Sequence, residues 1–158
     1  MNENNNGNSN GNHNDNHNEN AVFLNFIYEN SAMGVTTISQ LLDIAKEETF
    51  RRHLEKELSE YKAIHEEARR LLNDNGFNEK GLTMFEKART YLMISVQTMA
   101  DQSASHIAEM MITGSNMGIL DAVKHLKKAG DVERDIRSLM ERLLKFEENN
   151  VQRLKEFL

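Results

Sequence analysis

Ser115-Asn116-Met117-Gly118-Ile119 repeats Ser31-Ala32-Met33-Gly34-Val35, and each copy opens a helix-turn-helix of similar length. The chain therefore reads as one hairpin written twice, which settles how its pieces pair before any other feature is weighed. Behind each Met-Gly comes an apolar run, Ile38, Leu41 and Leu42 in the first copy and Leu120, Val123 and Leu126 in the second. A charged break and a second helix follow in each.

Composition agrees with that reading. With 39% apolar and 28% charged residues, 158 residues suit a single domain with its own core. Proline is absent while Leu, Glu, Lys, Ala and Met abound, which is the make-up of an almost wholly helical chain. No apolar run is long enough for a membrane span. The formal net charge of -6 argues against a nucleic-acid partner, which would want a clustered basic face. The lack of cysteine removes disulfides, thiolate nucleophiles and zinc-thiolate sites, and goes with a cytoplasmic location.

Residues 1–20 hold eleven asparagines and no apolar side chain after Met1, so nothing there offsets the entropy of ordering. They read as a disordered, low-complexity tail without the basic start and apolar middle of a secretory signal. The folded domain is expected over 21–158. Its first helix, about Ala21 to Lys46, places Phe23, Ile27, Asn30, Gly34, Ile38, Leu41 and Ala45 on one face. Thr49 is the expected N-cap of the second, about Phe50 to Asn73, whose inner face carries Phe50, Leu54, Leu58, Tyr61, His65, Ala68 and Leu72. Asn73-Asp74-Asn75-Gly76 is a helix stop.

The segment from Thr83 to about Ser103 has no counterpart in the first half and is apolar around most of its circumference. Such a helix is either a buried crossover or half of a dimer interface, and the Met-rich run 84–117 is a candidate homodimer surface. The third repeat-related helix, about Ala104 to Lys128, aligns Ile107, Met111, Gly114, Gly118, Ala122 and His125. Each glycine there costs about 1 kcal/mol relative to alanine, so the spacing of Gly114 and Gly118 predicts close packing, with Gly34 as partner. Gly130-Asp131 is expected to end that helix and cap the last one, about Val132 to the C-terminus, which turns Ile136, Met140, Leu143, Glu147, Asn150, Leu154 and Leu158 inward.

Overlaying the second and fourth helices on their core stripes pairs Tyr61 with Leu143 and His65 with Glu147. Counting from the turns at about 1.5 Å per residue brings Asn30 level with His65, and Gly114 or Ser115 level with Glu147. A polar layer of Asn30, His65, Ser115 and Glu147 is therefore expected inside the bundle.

This arrangement resembles the ferritin-like superfamily, in which two helical hairpins are joined by a long crossover. It is most similar to the small bacterial bundles of the DUF2383 type, in which a Gly-Ser-x-x-Gly stretch opens the third helix, as Gly114-Ser115-Asn116-Met117-Gly118 does here, and an acidic pair like Glu147-Glu148 sits in the fourth. The resemblance covers about residues 21–158 and implies an all-α, antiparallel four-helix bundle. It also implies a carboxylate-bridged di-iron site, which needs a Glu from each of two helices and Glu-x-x-His from the other two. Here those slots read Lys62-x-x-His65, Leu144-x-x-Glu147, Asn30 and Gly114. The expectation is accordingly a non-catalytic bundle without cofactor that acts by self-association or protein binding. The alternative is a degenerate iron or manganese site using His65 and Glu147.

Overall fold

Four helices make up nearly all of the described chain, residues 11–77 and 99–158 of a computed structural model, and no strand occurs among those residues. They are α1 (Gly11–Ile44), α2 (Glu48–Asp74), α3 (Ala104–Lys128) and α4 (Arg134–Leu154), with a 3₁₀ turn at Lys155–Phe157. α1 packs along α2 and α3 along α4, so each short connection closes an antiparallel pair.

Contacts at the helix ends fix how the pairs meet. In the N-terminal half of α1, Asn20 Nδ2 donates to Glu133 Oε1 at 3.0 Å and Glu19 Oε2 accepts from the Gly130 N–H at 3.0 Å, so this part of α1 lies beside the α3–α4 turn. At the other end, the Phe157 ring packs against Phe50 at 4.9 Å and His53 at 5.4 Å. Hence α4 runs antiparallel to α2 and parallel to α1, and α3 runs parallel to α2.

The core follows from the 3.6-residue spacing of apolar positions. Phe23, Leu24, Ile27, Ile38 and Leu41 of α1 join Phe50, Leu54, Ile64 and Leu72 of α2, and Ile136, Met140, Leu143 and Leu154 of α4, in one buried cluster. Each such side chain stabilises the fold by about 1.5–3 kcal/mol of transfer free energy. α3 contributes least. Its buried residues are Ala104, Ile107, Ala108 and Ala122, and nothing between Glu109 and Asp121 is buried.

The helix ends depart from the sequence reading in four places. α1 starts at Gly11 rather than Ala21, so residues 11–20, assigned by composition to a disordered tail, are helical. The bonds of Glu19 and Asn20 to the α3–α4 turn give that extension something to hold. Thr49 lies inside α2, whose N-cap is Glu47 without a side-chain bond. Arg51 instead reaches back, its guanidinium donating to the carbonyls of Leu42 and, at 3.0 Å, Ala45, which places a cation on the carbonyl end of α1. Residues 99–103 are not helical, and Ser103 caps α3 by accepting from the His106 N–H at 3.2 Å. The expected crossover helix therefore does not run into α3, and its part over 83–98 lies outside the described residues. α4 starts at Arg134, and its cap is Glu133, not Asp131; the Glu133 N–H is taken by Asn20 Oδ1 at 2.9 Å.

The Asn-Asp-Asn-Gly stop does end α2. Gly76, at φ 68°, lets Phe77 N–H reach Leu72 O at 2.9 Å and Gly76 N–H reach Asn73 O at 3.0 Å, the paired closure that a left-handed residue permits.

Candidate functional site

The polar centre of the bundle is built on α4. Successive inward turns there put Leu143, Glu147, Asn150 and Val151 in the interior, so the Glu147 carboxylate is carried to where only 3% of the residue is exposed. A buried carboxylate needs donors. Tyr61 of α2 supplies one, its hydroxyl donating to Glu147 Oε1 at 2.5 Å. The Ser115 hydroxyl of α3 lies close to both the Glu147 carboxylate and the Tyr61 phenol. Among the described residues Glu147 Oε2 has no hydrogen-bond partner.

Two glycines make room for this arrangement. The Tyr61 ring lies over Gly34 so closely that a Cβ there would sit 2.6 Å from its Cδ1 and Cε1. Phe146 holds the same ring from another side, edge-on at 4.8 Å. On α3, a Cβ on Gly118 would meet Asn30 Nδ2 at 2.8 Å and Glu147 Oε1 at 3.9 Å. In both cases a side chain, not a glycine of the other hairpin, fills the space. Gly114 differs, because nothing lies within 4 Å of where its Cβ would stand. The expected close packing at Gly114 is absent because a pocket of about 140 Å³ lies beside it.

That pocket separates α1 from α3 at the level of Glu147. Ile38, Met33, Met110 and Met111 form apolar walls, and Tyr61, Ser115, Asn30, Thr37 and Glu147 are its polar lining. Of the four residues expected in one layer, the structure gathers Asn30, Ser115 and Glu147. His65 belongs to a different set of contacts. Its ring stacks on Tyr28 at 4.4 Å, and Nδ1 lies 3.2 Å from Ser31 Oγ and 3.2 Å from the Tyr28 carbonyl. Since a carbonyl can only accept, Nδ1 carries the proton. The residue of α2 that meets Glu147 is Tyr61, one helical turn away from His65. Aligning the repeats identifies equivalent positions, but in an antiparallel pair equivalent positions lie level only at the midpoint.

Burial governs the acid-base behaviour of the centre. Desolvation pushes the Glu147 carboxyl above its ordinary value, the bonds from Ser115 and Tyr61 pull it down, and the nearby Glu57 adds an upward push. The Tyr61 phenol is raised well above its ordinary range by burial, and further by the adjacent Glu147. Glu57 is a second buried carboxylate, one turn before Tyr61 on α2, with His53 Nε2 2.7 Å from its Oε1. The spacing Leu54, Glu57, Tyr61, Ile64 put it on the inner stripe, a position the sequence reading passed over.

A di-metal centre does not fit these residues. Glu147 stands without a second carboxylate bonded in the layer, His65 is turned to Tyr28 and Ser31, and no group of three or more His, Asp or Glu side chains among the described residues could hold a metal ion. No family model, curated protein or solved structure matches this chain.

Proposed function

We propose that this protein is a non-catalytic helical bundle that acts by self-association, and that the face formed by α1 and α3 is its contact surface. One observation carries the reading: from Met110 to Leu120 the chain has no charged residue, yet none of that stretch is buried. Met117 is 66% exposed and Leu120 is 55% exposed, and Met33 of α1 is exposed beside the same pocket. Three uncharged, Met-rich turns that stay half-buried or exposed, in a chain with 28% charged residues, match the charge-poor centre of an interface. A second copy suits that surface, since two uncharged faces meet without the repulsion that a net charge of -6 otherwise brings.

The architecture is, on the same proposal, ferritin-like, with the two hairpins as copies of one unit. The antiparallel pairing within each hairpin and the parallel run of α2 and α3 support it, as does the placement of Met33-Gly34 and Met117-Gly118 on facing helices. The absence of cysteine supports a cytoplasmic location.

Sedimentation equilibrium tests the reading, with Met117→Lys and Leu120→Lys combined in one variant. The wild-type chain is expected to be dimeric and the variant monomeric with unchanged helicity. A wild-type chain that stays monomeric at every concentration, or a variant that dimerises as well as the wild type, would overturn it. The part of the Met-rich segment over 84–98 lies outside the described residues and is not needed for this test.

A further inference from the structure

The pocket beside Gly114 has a shape and a polarity that self-association does not use. Its walls are three methionine thioethers and Ile38, soft apolar surfaces that adapt to a hydrocarbon body. Its volume, about 140 Å³, is close to that of an apolar cavity known to admit a six-carbon ring. The polar lining is one-sided. Asn30 Nδ2 and the hydroxyls of Thr37 and Ser115 are neutral donors, but among the described residues the Glu147 carboxylate is the only charged group in the lining, and its Oε1 already receives Tyr61. Oε2 is buried and without a hydrogen-bond partner among the described residues, in a residue that is 3% exposed. Among the described residues no Lys, Arg or His forms an ion pair with it. A carboxylate buried without a countercharge destabilises the fold, and a cation in the pocket supplies that countercharge.

We infer that this pocket binds a small primary amine with an apolar body, its ammonium group donating to the Glu147 carboxylate and its hydrocarbon part lying among Met33, Met110 and Met111. Tyr61 acts as a positioning residue that holds the carboxylate by Oε1. Met33 and Gly114, both exposed, stand at the rim where such a molecule enters. The inference goes beyond self-association and does not rest on it: one chain forms the pocket, and because its mouth lies on the α1–α3 face a bound amine and a second copy compete for that face.

Benzylamine, benzyl alcohol and toluene are matched probes. They share the ring and differ at the head, as a cation, a neutral donor and a molecule with no donor. Binding is followed by NMR through the methionine methyl groups of the full chain at neutral pH. Benzylammonium is expected to shift the Met33, Met110 and Met111 methyls saturably and to bind at least about tenfold more tightly than benzyl alcohol, the margin of a charged over a neutral hydrogen bond. Glu147→Gln is expected to abolish that margin. Gly114→Leu, which places a side chain in open space, is expected to remove binding of every probe while leaving the helical spectrum intact. Equal affinity for the amine and the alcohol in the wild-type chain would overturn the inference, as would methyl shifts that survive Gly114→Leu or an absence of methyl shifts with benzylamine.

Discussion

Tyr61 Oη donates to Glu147 Oε1 at 2.5 Å, joining α2 to α4 at the level where alignment of the two hairpins places His65 instead. That bond ties the register of the two hairpins, because both partners are buried side chains on different hairpins. Tyr61→Phe keeps the ring over Gly34 and removes only the hydroxyl. A hydrogen bond to a charged group contributes about 1.5–3 kcal/mol, so urea denaturation should show a loss in that range. In double-mutant cycles with Glu147→Gln, Tyr61→Phe should show coupling above about 1 kcal/mol and His65→Leu should be additive within about 0.5 kcal/mol. Equal coupling in the two cycles would contradict this assignment of partners.

The helical glycines of the repeats should separate under one substitution. Gly34→Ala drives a methyl into the Tyr61 ring, which Phe146 keeps from moving aside, and a loss of about 1–3 kcal/mol is expected from overpacking. Gly118→Ala meets the end of the Asn30 amide at 2.8 Å, a group that can swing, so its effect should be small. Gly114→Ala meets nothing and gains the ordinary helix preference of alanine, about 0.5–1 kcal/mol. Chemical denaturation of the three variants should rank them in that order from least to most stable. A destabilising Gly114→Ala would mean that the pocket beside it closes in solution.

The sequence made the helical stripes legible and left the levels obscure. Phe23, Ile27, Ile38 and Leu41 in α1, and Ile136, Met140, Leu143 and Glu147 in α4, face inward as their spacing predicts, because periodicity depends on one helix alone. Which residue meets which depends on two helices and on the geometry of both turns. A shift of one turn, about 5.4 Å, was enough to exchange Tyr61 for His65 at Glu147. Leu158 was placed inside yet is exposed, since the last turn changes to 3₁₀ geometry and rotates it away from the stripe. The glycines carried a true signal at positions 34 and 118, where a partner side chain takes the space, and an empty one at 114. Nothing in a glycine's own sequence context distinguishes a contact from a void.

His125 gives the fold a weakness toward mild acid. Its ring lies 4.7 Å from Phe26 and 5.8 Å from Phe23, and burial among them lowers its pKa below the ordinary 6.5, the effect of Asp121 being too small to reverse it. A histidine depressed in the folded state contributes stability that is fully present above 6.5 and lost as pH falls through the folded value. His125→Phe retains the aromatic packing and removes the titration. The stability difference between wild type and variant, measured by urea melts at a series of pH values, should be flat above 6.5 and should shift in favour of the variant below it. A difference that is constant throughout would show the imidazole to be solvated.

Glu147 should act in the opposite direction. Its carboxyl is raised above 4.5 by burial and by Glu57, against the pull of Ser115 and Tyr61, so the folded chain binds this proton more readily than the unfolded chain. The sign follows from that: the ionised carboxylate weakens the fold at neutral pH, and the weakness is relieved as pH falls through the folded value toward 4.5. Other groups titrate in the same interval, His125 with the contrary sign and Glu29 with the same sign, so the quantity to measure is the difference between wild type and Glu147→Gln. Relative to that variant the wild-type chain should gain stability on acidification and reach a plateau below 4.5. Saturating benzylamine supplies a countercharge to the ionised form and should reduce the neutral-pH deficit, since a ligand that binds only the folded chain stabilises it in proportion to its occupancy. A wild-type chain that instead loses stability relative to Glu147→Gln between neutral pH and 4.5 would show the bonds from Tyr61 and Ser115 outweighing burial, and the carboxylate held ionised in the folded bundle.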